Sequence, residues 1–580
     1  MEPLASVFAR LDPDTGFARG FIALSRYLLP ALALWILLRC VFSMLRYRYE
    51  PEIWGYLRQS DGQKHPLLHW ENVVGRSKSA DVVLADQRID RTHAALIRSD
   101  KGEWTVLDLH STGGVAVNGE PVERATLHDG DKLTLADRKL RFVSLTDKER
   151  GALSEVRTSP DAVRRPALSF LLLTVFQFVL CAAQLPHTDA AYRPHVALAY
   201  LSACALTWCY FFVMRSIRRS GFEVETIAFF LSTLGLMVSA DSAPAQLFKH
   251  LLLLAAGVAL FLLLGWWLRD LRRTRALRWV CGFAAMGFLA LNLLTAEEVF
   301  GAKNWLFIAG FSVQPSEFVK IAYIYAGAAT LDRLYARRNL FLFICFSAVC
   351  VGALALMGDF GTALVFFACF LVISFLRSGN LATVFLALTG AALACFLVLY
   401  AKPHVAARFA AWGHVWEDPY GAGFQQTRAL AAAASGGLFG VGAGGGWLTG
   451  IVAADTDLVF CVLCEELGLV TGVLAVLAVV LLCVFAVRDA AGSRSGFYVI
   501  AACAAVSVML VQTALNVLGS VDILPFTGVT FPFVSRGGSS LVSCWTLLAF
   551  IKSADTRQNA SFAQKLPARG GASVKEADVE

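Results

Sequence analysis

About thirteen apolar runs, each long or nearly long enough to cross a lipid bilayer, dominate this 580-residue chain. They lie near 21–45, 166–185, 195–214, 222–240, 246–268, 277–295, 316–334, 340–357, 361–376, 380–401, 457–487, 495–518 and 537–552. Runs of this kind fold as membrane helices, so the chain is a polytopic α-helical membrane protein. A hydrophobic fraction of 57%, a charged fraction of 16% and a mean hydropathy of +0.59 agree, and they leave room for a soluble part. The first run is expected to be retained as an anchor.

The net charge of +7 is not a nucleic-acid footprint, because much of it sits in short clusters between apolar runs. Arg215, Arg218 and Arg219, then Arg269, Arg272, Arg273 and Arg275, then Arg333, Arg337 and Arg338, Arg377, Arg488 and Arg494, and Lys552 alternate onto one side. The other side has fewer cations: Arg193, Lys303, Lys402, Arg408 and Arg428. Positive loops stay in the cytoplasm, so segment 402–456 is expected outside. Arg46 and Arg48 put the segment that follows the first run inside. The 14 cysteines fall almost wholly in apolar runs and none lies in 51–150, so they read as packing residues without disulfides. Cys461 and Cys464 form a CxxC within a helical run, where packing is the expected role.

Residues 50–150 differ in composition. Short alternating runs (DVVLAD, HAALI, WTVLDL, VAVNG, KLTLADRKLRFV) are punctuated by the turn pairs Asn118-Gly119 and Asp129-Gly130. They predict an all-β sandwich. A polar tail (1–20) precedes the first span (21–45), a polar linker (151–165) follows the sandwich, and a second polar tail (554–580) ends the chain.

Polar constellations interrupt the apolar pattern. WEDPYGAGFQQT (416–427) carries Glu417 and Asp418, with Asp418 before Pro419 and so in turn or extended backbone. Two readings are open: a solvated connection, or a carboxylate placed as a general base. In QPSEFVK (314–320), Pro315 suits a helix start, and Glu317 and Lys320 share a helix face. They are a capping pair or they face a polar cavity. Asp359 in MGDFGTALV suits a helix cap. AADTDLVFCVLCEELG (453–468) places Asp455 and Asp457 outside and the Glu465–Glu466 pair about two turns deeper, where carboxylates need partners or protons. TFPFVSRGGSS (530–540) sets Arg536 beside a glycine pair, either as a phosphate-facing nest or as a tight turn. These pieces lie on one side. They suit an anionic, lipid-linked substrate that enters from the membrane.

The same pieces, GAKNWLFIAGFSVQPSEFVK (301–320), GDFGTALV (358–365), WEDPYGAGFQQT (416–427), DTDLVFCVLCEELG (455–468) and ILPFTGVTFPFVSRGGSS (523–540), closely resemble the SEDS family, the FtsW/RodA/SpoVE proteins of cell shape, elongation, division and sporulation. The resemblance covers about 222–553, which holds ten of the spans. Two extra spans (166–215) and the anchor have no counterpart. The resemblance implies a peptidoglycan glycosyltransferase that polymerises lipid II, a disaccharide peptide on undecaprenyl diphosphate, together with a class B penicillin-binding protein. It implies that Asp418 is the essential loop aspartate, that Glu317 and Lys320 are the important pair, and that Asp457 and Glu466 are polar positions of the next span. Three residues depart from the family pattern: Asp455 where His is usual, Gly358 where Pro is usual, and Arg536 where Tyr is usual. A departing diphosphate needs cations, from Lys320, Arg536 or a divalent metal such as Mg or Mn.

Residues 72–143 resemble a forkhead-associated (FHA) domain, through GRSKSADVVLAD (75–86), IDRTHAALI (89–97), LDLHSTGGVAVNG (107–119) and LHDGDKLTLADRKLRFV (127–143). The resemblance implies phosphothreonine-peptide binding, with Arg76 and Asn118 at peptide-binding positions and His93 as a structural brace. Asp90 stands where the family has its phosphate-binding Ser, and Gly113 where it has Asn. Arg76, Lys78 and Arg91 are the neighbours that offset the Asp90 charge. Phosphopeptide recognition and phosphate-independent docking are both open.

The expectation is therefore a multi-pass glycan polymerase of the bacterial cytoplasmic membrane with a cytoplasmic docking or sensing domain. Two other functions fit the same residues. One is a lipid II flippase using the same cavity. The other is a scaffold that acts through the FHA domain.

Overall fold

The computed structural model describes residues 16–46, 52–78, 80–99, 101–146, 149, 166–299, 302–308, 311–331, 337–378, 381–401, 409–410, 412–557 and 561–563. The linker 151–165, most of both polar tails, and Arg48, Arg333, Lys402 and Arg408 lie outside these residues.

Each apolar run forms one helix: α1 (Gly16–Arg46), α2 (Pro166–Gln184), α3 (Arg193–Ser216), α4 (Glu223–Ser242), α5 (Leu247–Trp267), α6 (Leu271–Thr295), α7 (Pro315–Leu331), α8 (Arg337–Leu356), α9 (Phe360–Ser378) and α10 (Leu381–Ala401). A short helix, α11 (Phe424–Gly436), follows in the long connection, and then come α12 (Val459–Ala491), α13 (Gly496–Ser520) and α14 (Gly538–Ala554). Among the described residues, ten helices are long and apolar enough to cross a membrane by length and composition. Local chemistry marks the helix starts. Pro315 opens α7, the Asp270 carboxylate accepts from the Arg272 and Arg273 N–H groups at α6, and Ser495 caps α13.

The bundle is built on the pairs α5–α14, α6–α7, α12–α13 and α9–α13. Trp545 of α14 is fully buried; its indole N–H donates to Ser232 Oγ at 3.0 Å and its ring packs on Phe229. The helices that precede residue 222 join on one flank, with α1 against α2 and α12, and α2 against α4. Gln184 of α2 donates to the Met237 carbonyl and accepts from Tyr200, so α2, α3 and α4 are cross-linked inside the apolar layer.

A buried ionic network ties one end of the bundle. Lys552 Nζ meets the Gly221 carbonyl at 2.8 Å and Glu225 at 3.3 Å, Arg557 meets Asp555 and Glu223, and Ser43 of α1 donates to Glu223 at 2.6 Å. Each charge has several partners, as burial requires.

The sandwich sits at this same end. Its strands are β1 (Gly55–Gln59), β2 (Lys64–Leu67), β3 (Glu71–Gly75), β4 (Val82–Val83), β5 (Ala94–Arg98), β6 (Trp104–Asp108), β7 (Val115–Val117), β8 (Glu120–Pro121), β9 (Arg124–Leu127), β10 (Lys132–Leu135) and β11 (Arg138–Ser144). One sheet has the order β2-β1-β11-β10-β7-β8 and the other β4-β3-β5-β6-β9. Leu57, Leu96, Trp104, Val106, Leu133 and Phe142 alternate inward to fill the space between them. The domain docks on the α12–α13 turn. The Trp70 N–H donates to the Arg494 carbonyl at 2.6 Å, His69 Nδ1 lies 2.7 Å from the Ser493 carbonyl oxygen, and Arg275 of α6 meets Glu71 at 3.4 Å. Arg494 also lies over the Trp70 ring.

Two irregular pieces have no counterpart in the sequence expectation. A three-stranded sheet, β12 (Glu297–Val299), β13 (Ala302–Ile308) and β14 (Phe311–Val313), stands between α6 and α7. Helix α12 is broken at Gly468, where φ is 86° and ψ 161°. The glycine-rich stretch after α11 pairs with the break. Val441 and Gly442 N–H groups donate to the Glu465 and Glu466 carbonyls, and Leu469 and Val470 N–H groups donate to the Gly437 and Leu438 carbonyls. The four backbone groups that the break would orphan are thus satisfied inside the protein, the condition for irregular backbone among membrane helices.

Candidate active site

Beyond the break at Gly468, α12 runs 23 residues to Ala491, about 35 Å at 1.5 Å per residue. The segment before it therefore lies at the end of the bundle remote from the sandwich. Most of the expected site motifs gather there, around residues 522–540.

The loop that carries Asp418 is pinned to this hub at its start. The Trp412 indole N–H donates to the Ile523 carbonyl at 3.1 Å, and the Gly413 N–H donates to Asp522 at 3.2 Å. Asp418 is exposed, and its carboxylate accepts two bonds from its own loop, from the Gly421 N–H at 3.0 Å and the Ala422 N–H at 2.9 Å. These bonds fold the turn that enters α11. A side chain at Gly421 would overlap the Asp418 carboxylate, and one at Gly423 would overlap the Val415 carbonyl, so this turn needs both glycines. Glu417 turns away and pairs with His414 at 2.9 Å. Arg428 stacks over Phe424 and Tyr420 and donates to the Pro419 carbonyl.

Glu317 and Lys320 form an ion pair of 2.7 Å, with both side chains buried. Their helix is stitched to the start of α14: the Gln314 N–H donates to Ser539 Oγ at 3.1 Å, and Ser543 Oγ donates to the Glu317 carbonyl at 2.9 Å. Asp359 accepts from the Thr362 N–H, the cap the sequence predicts, and lies within electrostatic reach of Glu317 and Lys320. A side chain at Gly361 would overlap Val529, so the α9 start packs directly on the hub.

Arg536 and Asp455 meet in an ion pair of 2.8 Å. The neighbouring stretches are sewn together by Asn516, whose amide donates to the Asp457 carbonyl at 2.9 Å and the Val529 carbonyl at 2.8 Å, and by Ser535, whose hydroxyl donates to the Thr456 carbonyl. Asp457 is half-buried and faces Gly528. Glu465 and Glu466 are buried and hold the glycine-rich stretch: Glu465 accepts from the Trp447 and Leu448 N–H groups, and Glu466 from the Gly444 N–H at 2.6 Å. Glu466 therefore shapes the backbone around α12. His187, from the α2–α3 connection, meets the Ala443 carbonyl at 2.9 Å, and Tyr27 of α1 packs on Phe439. The helices outside the ten-span core thus brace the same stretch.

The structure brings together the motifs at 314–320, 358–365, 453–457 and 522–540, and it attaches the Asp418 loop to them through Trp412 and Gly413. The Asp418 carboxylate makes its hydrogen bonds within its own loop. Among the described residues no group of three or more His, Cys, Asp and Glu side chains has the arrangement of a metal site. Lys320 and Arg536, the cations the sequence reading named, lie with these motifs, and Arg428 lies in the Asp418 loop.

In the sandwich, the Asp90 carboxylate accepts from the Thr112 backbone N–H at 2.5 Å and from its hydroxyl at 2.9 Å. Those two bonds, the backbone one foremost, hold its pKa below the usual carboxylate range. His93 bridges the Asp90 N–H and the Gly114 carbonyl, the expected brace. Asn118, expected at a peptide-binding position, lies at the tip of β7. Its amide donates to Asp131 and accepts from the Lys132 N–H, both at 2.9 Å, so its polar atoms secure the β7–β8 turn. Its φ of 54°, followed by 95° at Gly119, is the backbone of that turn.

Comparison with known proteins adds an independent line. The sequence profile of the FtsW/RodA/SpoVE cell cycle proteins matches residues 209–560, and that of the FHA domain matches residues 72–136. The chain is 32% identical over 327 residues to the peptidoglycan glycosyltransferase RodA of Mycobacterium tuberculosis, covering 52% of this chain and 69% of that one. It is 34% identical over 251 residues to the stage V sporulation protein E of Bacillus subtilis, covering 42% and 68%. A solved chain from a peptidoglycan synthase complex that coordinates polymerisation and crosslinking aligns with a TM-score of 0.49 at 25% identity, over 57% of this chain and 96% of that one.

Proposed function

This chain belongs to the FtsW/RodA/SpoVE family of cell cycle proteins and carries an FHA domain, and from that premise we propose that it is a peptidoglycan glycosyltransferase. Its substrate is lipid II, polymerised at the outer face of the bacterial cytoplasmic membrane. The polymerising core is 222–553, and the FHA domain, 50–150, is a cytoplasmic docking module. The charge asymmetry of the loops supports that orientation, and the Asp418 loop and the FHA domain lie towards opposite ends of α12.

The observation that carries the reading is the Asp418 loop. It holds an exposed carboxylate in a turn fixed by its own N–H groups, on a loop pinned to the hub where the other motifs meet. An exposed carboxylate in a fixed turn is suited to accept the proton of the acceptor sugar hydroxyl as that oxygen attacks the donor's anomeric carbon. The leaving polyprenyl diphosphate gathers negative charge. Arg536, oriented by Asp455, and Lys320, oriented by Glu317, supply positive charge for it. Asp457 and Glu466 shape the backbone around that path. A general base at the exposed loop serves chemistry; lipid transport alone does not need one.

A class B penicillin-binding protein is the partner that would cross-link the product. The test is polymerisation of lipid II by the purified protein, with and without such a partner, comparing wild type with Asp418→Ala. Glycan chains made by wild type and absent with the variant are expected; polymerisation by Asp418→Ala at the wild-type rate overturns the assignment.

A further inference from the structure

We propose that the recognition loops of the sandwich bind an unphosphorylated acidic segment of a partner protein, with the Asp90 carboxylate filling the place a phosphate would take. This inference rests on reading the sandwich as a docking module and is independent of the polymerase assignment.

A backbone N–H and a hydroxyl converging on one point form an anion receptor. In this domain the receptor at Thr112 is already filled from within, by both oxygens of Asp90. His93 holds Asp90 in that position from below, through the Asp90 N–H. An arriving phosphate carries nearly two negative charges and would have to displace a carboxylate that is itself ionised.

The rim of the loops carries the opposite charge. Arg76, Lys78 and Arg91 are exposed, and none has an ion-pair partner among the described residues. The Arg76 N–H donates to the Asp90 carbonyl at 2.9 Å and the Ser77 N–H to the Arg91 carbonyl at 3.1 Å, so the two cation-bearing loops are locked side by side. Gly75 permits that approach; a side chain there would overlap the Arg91 carbonyl. Of the other charges nearby, Asp86, Arg88, Asp137 and Arg138 neutralise one another in ion pairs, and the Asp81 carboxylate accepts from the Val73 N–H. What stays open is a cationic rim around a filled receptor. Peptide carboxylates can pair with the rim without entering the receptor.

Among the described residues, the recognition loops lie away from the docked end. β3 begins at Glu71, which pairs with Arg275 of the bundle, and ends at Gly75, beside Arg76. Antiparallel β5 begins beside Val74 and ends at Arg98, which stacks on Trp54 and Trp70 at the docked end. The recognition loops are therefore a strand length, about 15 Å, from the docked end, and directed away from the bundle.

The experiment uses the full-length protein in lipid nanodiscs and three labelled peptides that share flanking residues. One carries an Asp-Glu-Glu tract, one a phosphothreonine in its place, and one an uncharged tract. Fluorescence anisotropy should show the acidic peptide bound at least as tightly as the phosphothreonine peptide, weakening with salt, and the uncharged one not bound. Arg76→Ala should weaken the acidic peptide by about tenfold. Asp90→Ser should tighten the phosphothreonine peptide by about tenfold or more, a larger factor than for the acidic one. Asp90→Asn, which keeps an acceptor for the Thr112 N–H, should change binding in the same direction and controls for misfolding. Phosphothreonine binding by wild type that is clearly tighter than acidic-peptide binding overturns the proposal. So does acidic-peptide binding untouched by Arg76→Ala.

Discussion

Arg536 Nε lies 2.8 Å from Asp455 Oδ2, and the Arg536 backbone N–H donates to the Asp455 carbonyl at 2.9 Å. At both positions the sequence resemblance implies a different residue, and the two side chains meet each other. An arginine alone in the SRGG turn would be free to fold back on the surface. Held at Nε, it keeps its two terminal nitrogens for another anion. The pair is partly exposed, so its weight in stability is small, on the order of 1 kcal/mol or less. Asp455→Ala and Arg536→Ala should both raise the KM for lipid II, with kcat changed less. The exchange Asp455→Arg with Arg536→Asp should recover thermal stability but not KM. Initial polymerisation rates across lipid II concentration, with melting curves of each variant, check this; an unchanged KM in Arg536→Ala removes the arginine from substrate binding.

Asp418 has two separable duties, turn-forming and proton-accepting. Asp418→Asn keeps an acceptor for one loop N–H and should melt like wild type, while glycan synthesis falls by about 10²–10⁴. Asp418→Ala should lose the same activity and also about 1 kcal/mol of stability, the usual net worth of such a hydrogen bond. Equal activity loss with unequal melting temperatures is the expected pattern.

The Glu317–Lys320 pair is buried on both sides. Lys320→Met strands a carboxylate and should destabilise the protein by about 3–5 kcal/mol. Pairing it with Glu317→Gln should return most of that stability without returning activity. Unfolding in detergent, followed by tryptophan fluorescence, distinguishes the two.

Gly468 holds a backbone conformation open essentially to glycine, and a side chain there would overlap the Leu438 carbonyl. Gly468→Ala should cost at least about 1–3 kcal/mol from backbone strain alone. It should also loosen the glycine-rich stretch, read as new protease sensitivity between residues 437 and 446. A variant that melts and resists protease like wild type would show that the break is not required.

Acid should unfold the sandwich through its capped carboxylates. Asp86 is held far below the usual carboxylate range by its hydrogen bonds from Arg88 and Arg138, and Asp131 is lowered by the His128 backbone N–H and the Asn118 amide. Asp90 is lowered as well. A depressed native pKa stabilises the fold fully above the unfolded value, near 3.9 for Asp, and the contribution fades as pH falls through the native value. The environment of buried Trp104 should therefore hold from neutral pH to about 5 and change only below about 4. Asp86→Asn should shift that acid transition upward.

The two parts of the chain differed in how readable they were. Apolar length alone placed each membrane helix, because the bilayer demands a fixed number of apolar residues. Alternation and turn pairs were enough for the sandwich. The β12–β14 sheet, α11 and the break at Gly468 were hidden, because each is stabilised by distant partners: the Asn292 amide donates to the Lys303 carbonyl, α11 packs on α12, and the break pairs with residues 437–442. The glycines of GGLFGVGAGGG were the available signal for the break, since so many in one stretch mark close backbone approach.

The residues proposed for chemistry, the carboxylate in the Asp418 loop and the cations Lys320 and Arg536, were legible in the sequence itself, as was the family. Which groups those residues spend on one another was decided by tertiary structure. Asp455 claims one edge of Arg536, Asp90 fills its own anion receptor, and Glu466 is committed to the Gly444 backbone. A sequence states what a side chain can donate or accept. Only the packing of segments far apart in the chain determines which of those bonds are already made, and so which remain for a substrate or a partner.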